Sequence, residues 1–140
     1  MRIYVAGAWS EQWTRARPVM DRLRAAGHSI TYDWTVPEGT RLNVGLTLNQ
    51  RRSYALSDLD GVLRADALLL LAPQAPSQGA WVELGVALGK PPKFGIFVSG
   101  TTPHCIFAEL ANYTFGTDVE AVEAIVKWTR SGEWLDGRRT

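Results

Sequence analysis

The chain is short of cysteine, histidine and charge of either sign in excess. Its 140 residues hold one cysteine, Cys105, so no disulfide can form within it, which fits a reducing, cytoplasmic setting. The two histidines, His28 and His104, stand far apart, and no metal-ligand spacing is present, so neither a metal nor another cofactor is expected. No apolar run is long enough to span a bilayer, which argues against a membrane partner. Fifteen Lys and Arg against fourteen Asp and Glu leave a net charge of +1, so the basic surface that sequence-independent binding to a nucleic acid polymer requires is missing. The strand pattern starts at Met1-Arg2-Ile3-Tyr4-Val5, so no signal peptide is expected. Internal repeats and low-complexity segments are absent as well.

What is present is ordinary globular chemistry. A hydrophobic content of 46% over this length suits one domain, 1–140, with one core and a polar tail at 131–140 that is expected to fray. Strand and helix patterns alternate along it. Ile3-Tyr4-Val5-Ala6 reads as a buried strand, and Gly7-Ala8-Trp9-Ser10 as a loop of small residues that allows close backbone approach to a ligand. Across 11–26, Trp13, Ala16, Val19, Met20, Leu23 and Ala26 recur at helical steps, with Pro18 marking a start or a bend and Gly27 the C-cap. A second strand is expected over 28–34, then an aperiodic loop at 35–47, which is either a lid over a crevice or a plain surface connection. The segment 48–65 is helical in pattern, with Tyr54, Ala55, Leu59, Val62 and Leu63 expected to face inward. Strands follow at 67–71, 94–98 and 113–115, with helices at 79–89, 104–111 and 119–130.

This alternation predicts an α/β fold: a flavodoxin-like, doubly wound, mainly parallel sheet of about five strands. In such sheets the ligand crevice lies at the carboxyl ends of the strands. That rim would gather the first loop with Gly7 and Trp9, the pair Asp33-Trp34, the 73–79 loop ending at Gly79, and the start of the helix that carries Glu83. Glu83 is expected in or near the first turn of that helix, where free N–H groups and the helix dipole favour a negative charge. A carboxylate held ionised beside a crevice is a candidate nucleophile, although a first-turn glutamate also occurs simply as a complement to the dipole. Six tryptophans are many for this length. Trp9, Trp34 and Trp81 fall at the rim, where flat faces can stack on nucleobases, with Trp81 the one expected to fill a core or dimer contact instead, while Trp13, Trp128 and Trp134 read as packing residues.

Three segments resemble the nucleoside 2-deoxyribosyltransferase family, which includes the deoxynucleoside 5'-monophosphate N-glycosidases. Ile3-Tyr4-Val5-Ala6-Gly7-Ala8-Trp9 is similar to the family's first strand and loop. The stretch Asp58-Leu59-Asp60-Gly61-Val62-Leu63-Arg64-Ala65-Asp66 is similar to its aspartate-bearing helix, and Gly79-Ala80-Trp81-Val82-Glu83-Leu84-Gly85-Val86-Ala87 to its nucleophile helix. The resemblance implies that Glu83 attacks the anomeric carbon of a sugar, that Asp58 organises the site and its proton traffic, and that Tyr4 orients the nucleophile. It also implies that Ser77, six residues before Glu83, helps to hold a 5'-phosphate, since the transferases carry an acidic residue there. A carboxylate would repel a phosphate, whereas a hydroxyl accepts it as a partner. The chain departs from the nucleotide hydrolases in its short, aromatic first loop, Ala6-Gly7-Ala8-Trp9-Ser10, so that Arg51 or Arg52 becomes the candidate cation.

The function expected from this resemblance is cleavage of the N-glycosidic bond of a (deoxy)nucleoside or its 5'-monophosphate through a glutamyl-sugar ester, by hydrolysis or base exchange. The expected partners are a small nucleoside or nucleotide and further copies of the same chain, in a homodimer or higher oligomer. The competing reading is a non-catalytic nucleotide-binding or sensing module on the same fold. A hydrolase of another N-riboside is a third, weakened by the absence of a Gly-Gly-x-Gly-Thr phosphate loop.

Overall fold

The structure, a computed structural model, describes residues 1–36, 45–102 and 105–131. Five strands form one sheet in the order β2-β1-β3-β4-β5, and every neighbouring pair is parallel. They are β1 (Arg2–Ala6), β2 (Ser29–Ile30), β3 (Ala67–Leu71), β4 (Gly95–Ser99) and β5 (Tyr113–Phe115). Four α-helices cover the sheet: α1 (Arg17–Ala25), α2 (Leu48–Arg64), α3 (Gln78–Leu88) and α4 (Asp118–Ser131). This is the doubly wound α/β architecture expected from the alternation of patterns. No helix among the described residues is long and apolar enough to cross a membrane.

The central strands are read off their composition. β3 is Ala-Leu-Leu-Leu-Leu, and all five residues are buried, as a strand covered on both faces must be. The edges are short, two residues in β2 and three in β5, which limits the unpaired backbone they offer. Right-handed crossovers then decide the layers. The chain leaves β1 toward β2 in one direction and crosses from β2 to β3, and from β3 to β4, in the other. So α1 lies on one face, where it packs against α4, and α2 and α3 pack together on the opposite face. The reversal falls between β1 and β3, and a crevice opens there at the carboxyl ends of the strands.

Several elements depart from expectation for local reasons. The second strand, expected over 28–34, keeps only Ser29–Ile30. Beyond it the Asp33 carboxylate accepts from the Thr35 amide and hydroxyl, and the Trp34 indole donates to the Val5 carbonyl at 2.7 Å, so the chain folds over the end of β1. The helix expected over 11–26 is divided into a 3-10 turn (Trp9–Glu11), a π turn (Gln12–Ala16) and α1, with Pro18 in the first turn of α1, where its missing N–H does no harm. Trp13, read as a packing residue, is exposed and lies beneath the Arg17 guanidinium at 3.9 Å. Trp128 is half-buried and Trp134 lies outside the described residues. Most of the expected lid, 37–44, lies outside them too.

Helix α2 is held at both ends. Thr47 and Gln50 form a reciprocal capping box at its start. At its end the Lys90 ammonium donates to the carbonyls of Val62, Leu63 and Ala65, adding a cation where the helix dipole is negative. Of its expected inward face only Val62 is buried, together with Gly61, while Leu63 and Ala55 are exposed. The amino-terminal part of α2 lines the crevice instead of the sheet, so the face that looked like core is a wall.

Candidate active site

The crevice encloses about 800 Å³. Its floor is the start of the loop after β1, with Gly7, Trp9 and Ser10, beside Trp34. One wall is α2, through Arg51, Tyr54, Ala55 and Asp58. The other is the entry to α3, through Pro76, Ser77, Gln78, Gly79, Ala80 and Glu83.

Glu83 is 8% exposed, and the Tyr4 hydroxyl donates to its Oε1 at 2.7 Å. Tyr4 points up from the middle of β1 and is fully buried, so its ring cannot swing away without disturbing the core. A hydroxyl donating to a carboxylate favours the ionised form and fixes its orientation. The helix end contributes less than expected. Because α3 begins at Gln78, Glu83 falls in its second turn, beyond the free N–H groups of the first. The strand below gives this carboxylate a hydrogen bond that does not depend on the helix end.

Asp58 comes from the facing helix to the same cavity as Glu83. Two carboxyl groups on opposite walls, one held by a phenol, can divide nucleophilic and proton-transfer roles between them. Ser77 occupies the cap position of α3, but its hydroxyl makes no cap bond and the residue lines the cavity. Arg51 brings a cation to the opposite wall, while Arg52 is exposed and not among the lining residues. Trp34 is 4% exposed and fixed by its indole bond to Val5. Trp9 is half-buried and leans on Trp34 at 6.1 Å with the rings tilted by 45°. One tryptophan thus props the other beside the cavity.

No protein-family model matches the chain, and no curated protein matches it. Its fold, however, is shared with a solved structure. Among solved structures the chain is similar to the Clostridium botulinum CMP N-glycosidase BcmB, with a TM-score of 0.55, 15% identity, and coverage of 91% of this chain and 99% of that one. The likeness runs through nearly the whole of both chains.

Among the expected site residues, Glu83, Asp58, Ser77, Gly79, Gly7, Trp9 and Trp34 all line the cavity, and Tyr4 reaches it through Glu83. Asp33 does not. Its carboxylate binds Thr35 and forms an ion pair with Arg24 at 2.6 Å. Burial opposes its ionisation, but the bonds from Thr35 and Arg24 outweigh that and hold it below the ordinary carboxylate range. Its role is to shape the bend that carries Trp34. Trp81 packs against the core and not into the cavity. Tyr54 and Ala55, expected to face the core, line the cavity instead. A signal for Tyr54 was available: Arg51, Tyr54, Ala55 and Asp58 stand at i, i+3, i+4 and i+7, so they share one helix face. A stripe that mixes a cation, a phenol and a carboxylate suits a ligand wall better than a core. Among the described residues no group of three or more His, Cys, Asp or Glu side chains could hold a metal ion.

Proposed function

We propose that this chain is an enzyme that cleaves the N-glycosidic bond of a nucleoside 5'-monophosphate, with Glu83 as nucleophile. The observation that carries the reading is the 2.7 Å hydrogen bond from Tyr4 to Glu83 at the wall of a nucleotide-sized cavity. Breaking a bond between a base and C1' develops positive charge on the sugar, which a nearby carboxylate stabilises and then traps. The Glu83 carboxylate bonds to C1' as the C1'–N bond breaks, and the departing base takes a proton from the Asp58 carboxyl. Water then attacks C1' of the ester and gives a proton back to Asp58, so that Glu83 leaves as a carboxylate and the free sugar phosphate is released. A second base in place of water would give exchange. Trp9, propped by Trp34, supplies a face on which the base stacks.

The choice of a monophosphate rests on Arg51 and Ser77, a cation and a hydroxyl on opposite walls of the cavity. The similarity in fold to a CMP N-glycosidase supports a nucleotide over a free nucleoside. The test is release of free base from a panel of ribo- and deoxyribonucleosides and their 5'-monophosphates. Wild type is expected to release base from at least one monophosphate faster than from its nucleoside, and Glu83→Ala from none. Tight binding of a monophosphate without turnover would leave the pocket as a sensor and end the enzymatic reading.

A further inference from the structure

Helix α2 carries a glycine, Gly61, one turn before its end, although glycine is the poorest helix former after proline. Gly61 is buried. A Cβ at this position would lie 2.8 Å from Cδ2 and Cε2 of the Tyr4 ring and 2.9 Å from Cβ of Tyr32. These separations are well inside van der Waals contact, and the Tyr4 ring is fully buried with nowhere to retreat. The turn is also pinned in place, because the Thr31 hydroxyl donates to the Gly61 carbonyl at 2.7 Å. We propose that Gly61 is a positioning residue for the nucleophile: its bare Cα lets the Tyr4 ring lie flush against α2 and so reach Glu83.

The inference rests on Glu83 as the working carboxylate, and it extends the site to a residue that touches no substrate. The chain of contact is short. Gly61 bounds one side of the Tyr4 ring, and the hydroxyl at the end of that ring donates to Glu83 Oε1. A methyl at Gly61 must displace the ring or lift α2, and either motion pulls the hydroxyl from the carboxylate. The other ionisable groups that share the cavity with Glu83 are Arg51, Tyr54 and Asp58, all on α2.

The experiment compares wild type, Gly61→Ala, Tyr4→Phe and the double variant. The Glu83 carboxyl is titrated by carbon-13 NMR of glutamate-labelled protein, with its resonance assigned through Glu83→Gln. Arg51, Tyr54 and Asp58 keep their identity in all four proteins, which makes the comparison internal. Loss of a donor to the charged form raises a carboxyl pKa, so Gly61→Ala is expected to shift Glu83 upward, as Tyr4→Phe does. In the Tyr4→Phe background the second substitution should add nothing. In base release, Gly61→Ala should lower kcat on the order of 10- to 100-fold, the usual worth of a hydrogen bond to a charged group. KM should stay within about two-fold, since no group that binds substrate is removed. A folded Gly61→Ala protein with an unshifted Glu83, or a full additional shift in the Tyr4→Phe background, overturns the proposal. If Gly61→Ala does not fold, Tyr4→Phe carries the test, since it keeps the ring against Gly61 and removes only the hydroxyl, and an unshifted Glu83 in that variant overturns the proposal. Should the titration behave as expected while wild type releases no base from any substrate, the positioning role stands and the glycosidase reading fails.

Discussion

Two carboxylates stand at the same end of the sheet, on opposite faces, and they have opposite surroundings. Each takes a hydroxyl from a strand: Glu83 from Tyr4 of β1, Asp118 from Ser99 of β4. Asp118, at the start of α4, also accepts a bidentate pair from Nε and Nη2 on one edge of the Arg15 guanidinium, at 2.8 and 2.9 Å. Arg15 spends its other donors on the carbonyls of Ala72 and Ser99, just past β3 and at the end of β4. Gly100, with φ +96°, leaves the space this requires, since a Cβ there would meet Ala72 at 3.3 Å and the guanidinium at 3.4 Å. Burial works against ionisation of Asp118, but Arg15 and Ser99 overcome it and keep its pKa below the ordinary value.

Glu83 differs in that it lines a cavity of about 800 Å³, whereas Asp118 is clasped by a guanidinium. A carboxylate clasped by a guanidinium and a strand hydroxyl is a fastener, and one that takes a strand hydroxyl at the wall of a cavity can react. The fastener also serves the reactive one. Beside the clasp, Glu11 accepts from the Gln74 amide and stands 3.6 Å from Arg15, so the loops after β1 and β3 that line the crevice are tied together from the far face.

The sharpest way to break the contrast is to neutralise each carboxylate in turn. Glu83→Gln should lower base release by about 10³-fold or more, the usual cost of losing a nucleophile or its proton partner, and leave the urea midpoint nearly unchanged. Asp118→Asn should do the reverse. The folded protein should keep its activity within a few-fold, while stability drops by about 3 kcal/mol, because a partly buried guanidinium loses its counter-charge. If the two phenotypes were exchanged, the division into fastener and reactive group would be wrong.

Acid sharpens the same contrast with a smaller effect. The folded-state pKa of Asp118 lies below its unfolded value of about 3.9, so near pH 4 the unfolded chain binds more protons than the native one. Its contribution is therefore fully present above that value and is lost as pH falls through the folded pKa. Urea midpoints taken from pH 6 down to pH 2 should fall less steeply for Asp118→Asn than for wild type. Asp33, depressed by Thr35 and Arg24, and Asp66, depressed by Arg2, contribute to the slope that remains. The smallest effect is expected at Trp9. Trp9→Ala should raise KM for the preferred substrate by roughly ten-fold, the worth of one base-stacking contact, with kcat nearly kept. An unchanged KM would remove the stacking role and leave Trp9 as a cover for Trp34.

Periodicity alone was enough for the layered α/β fold, because burial on both faces imposes an unbroken apolar run such as Leu68–Leu71, and helices impose their own spacing. The places of Glu83, Ser77, Trp9 and Trp34 at the cavity were also legible, since loops at the carboxyl ends of parallel strands converge whatever their details, while that of Asp58 came only from the resemblance of its helix to a known family. Only the tertiary structure decided which neighbours these residues acquire. Asp33 turned to Arg24 and Thr35, Tyr54 and Ala55 faced the crevice, and Glu83 took its support from a strand 79 positions away instead of from its own helix end. Side-chain contacts of that kind depend on the distance and angle between elements, and a one-dimensional pattern of apolar and polar residues carries neither.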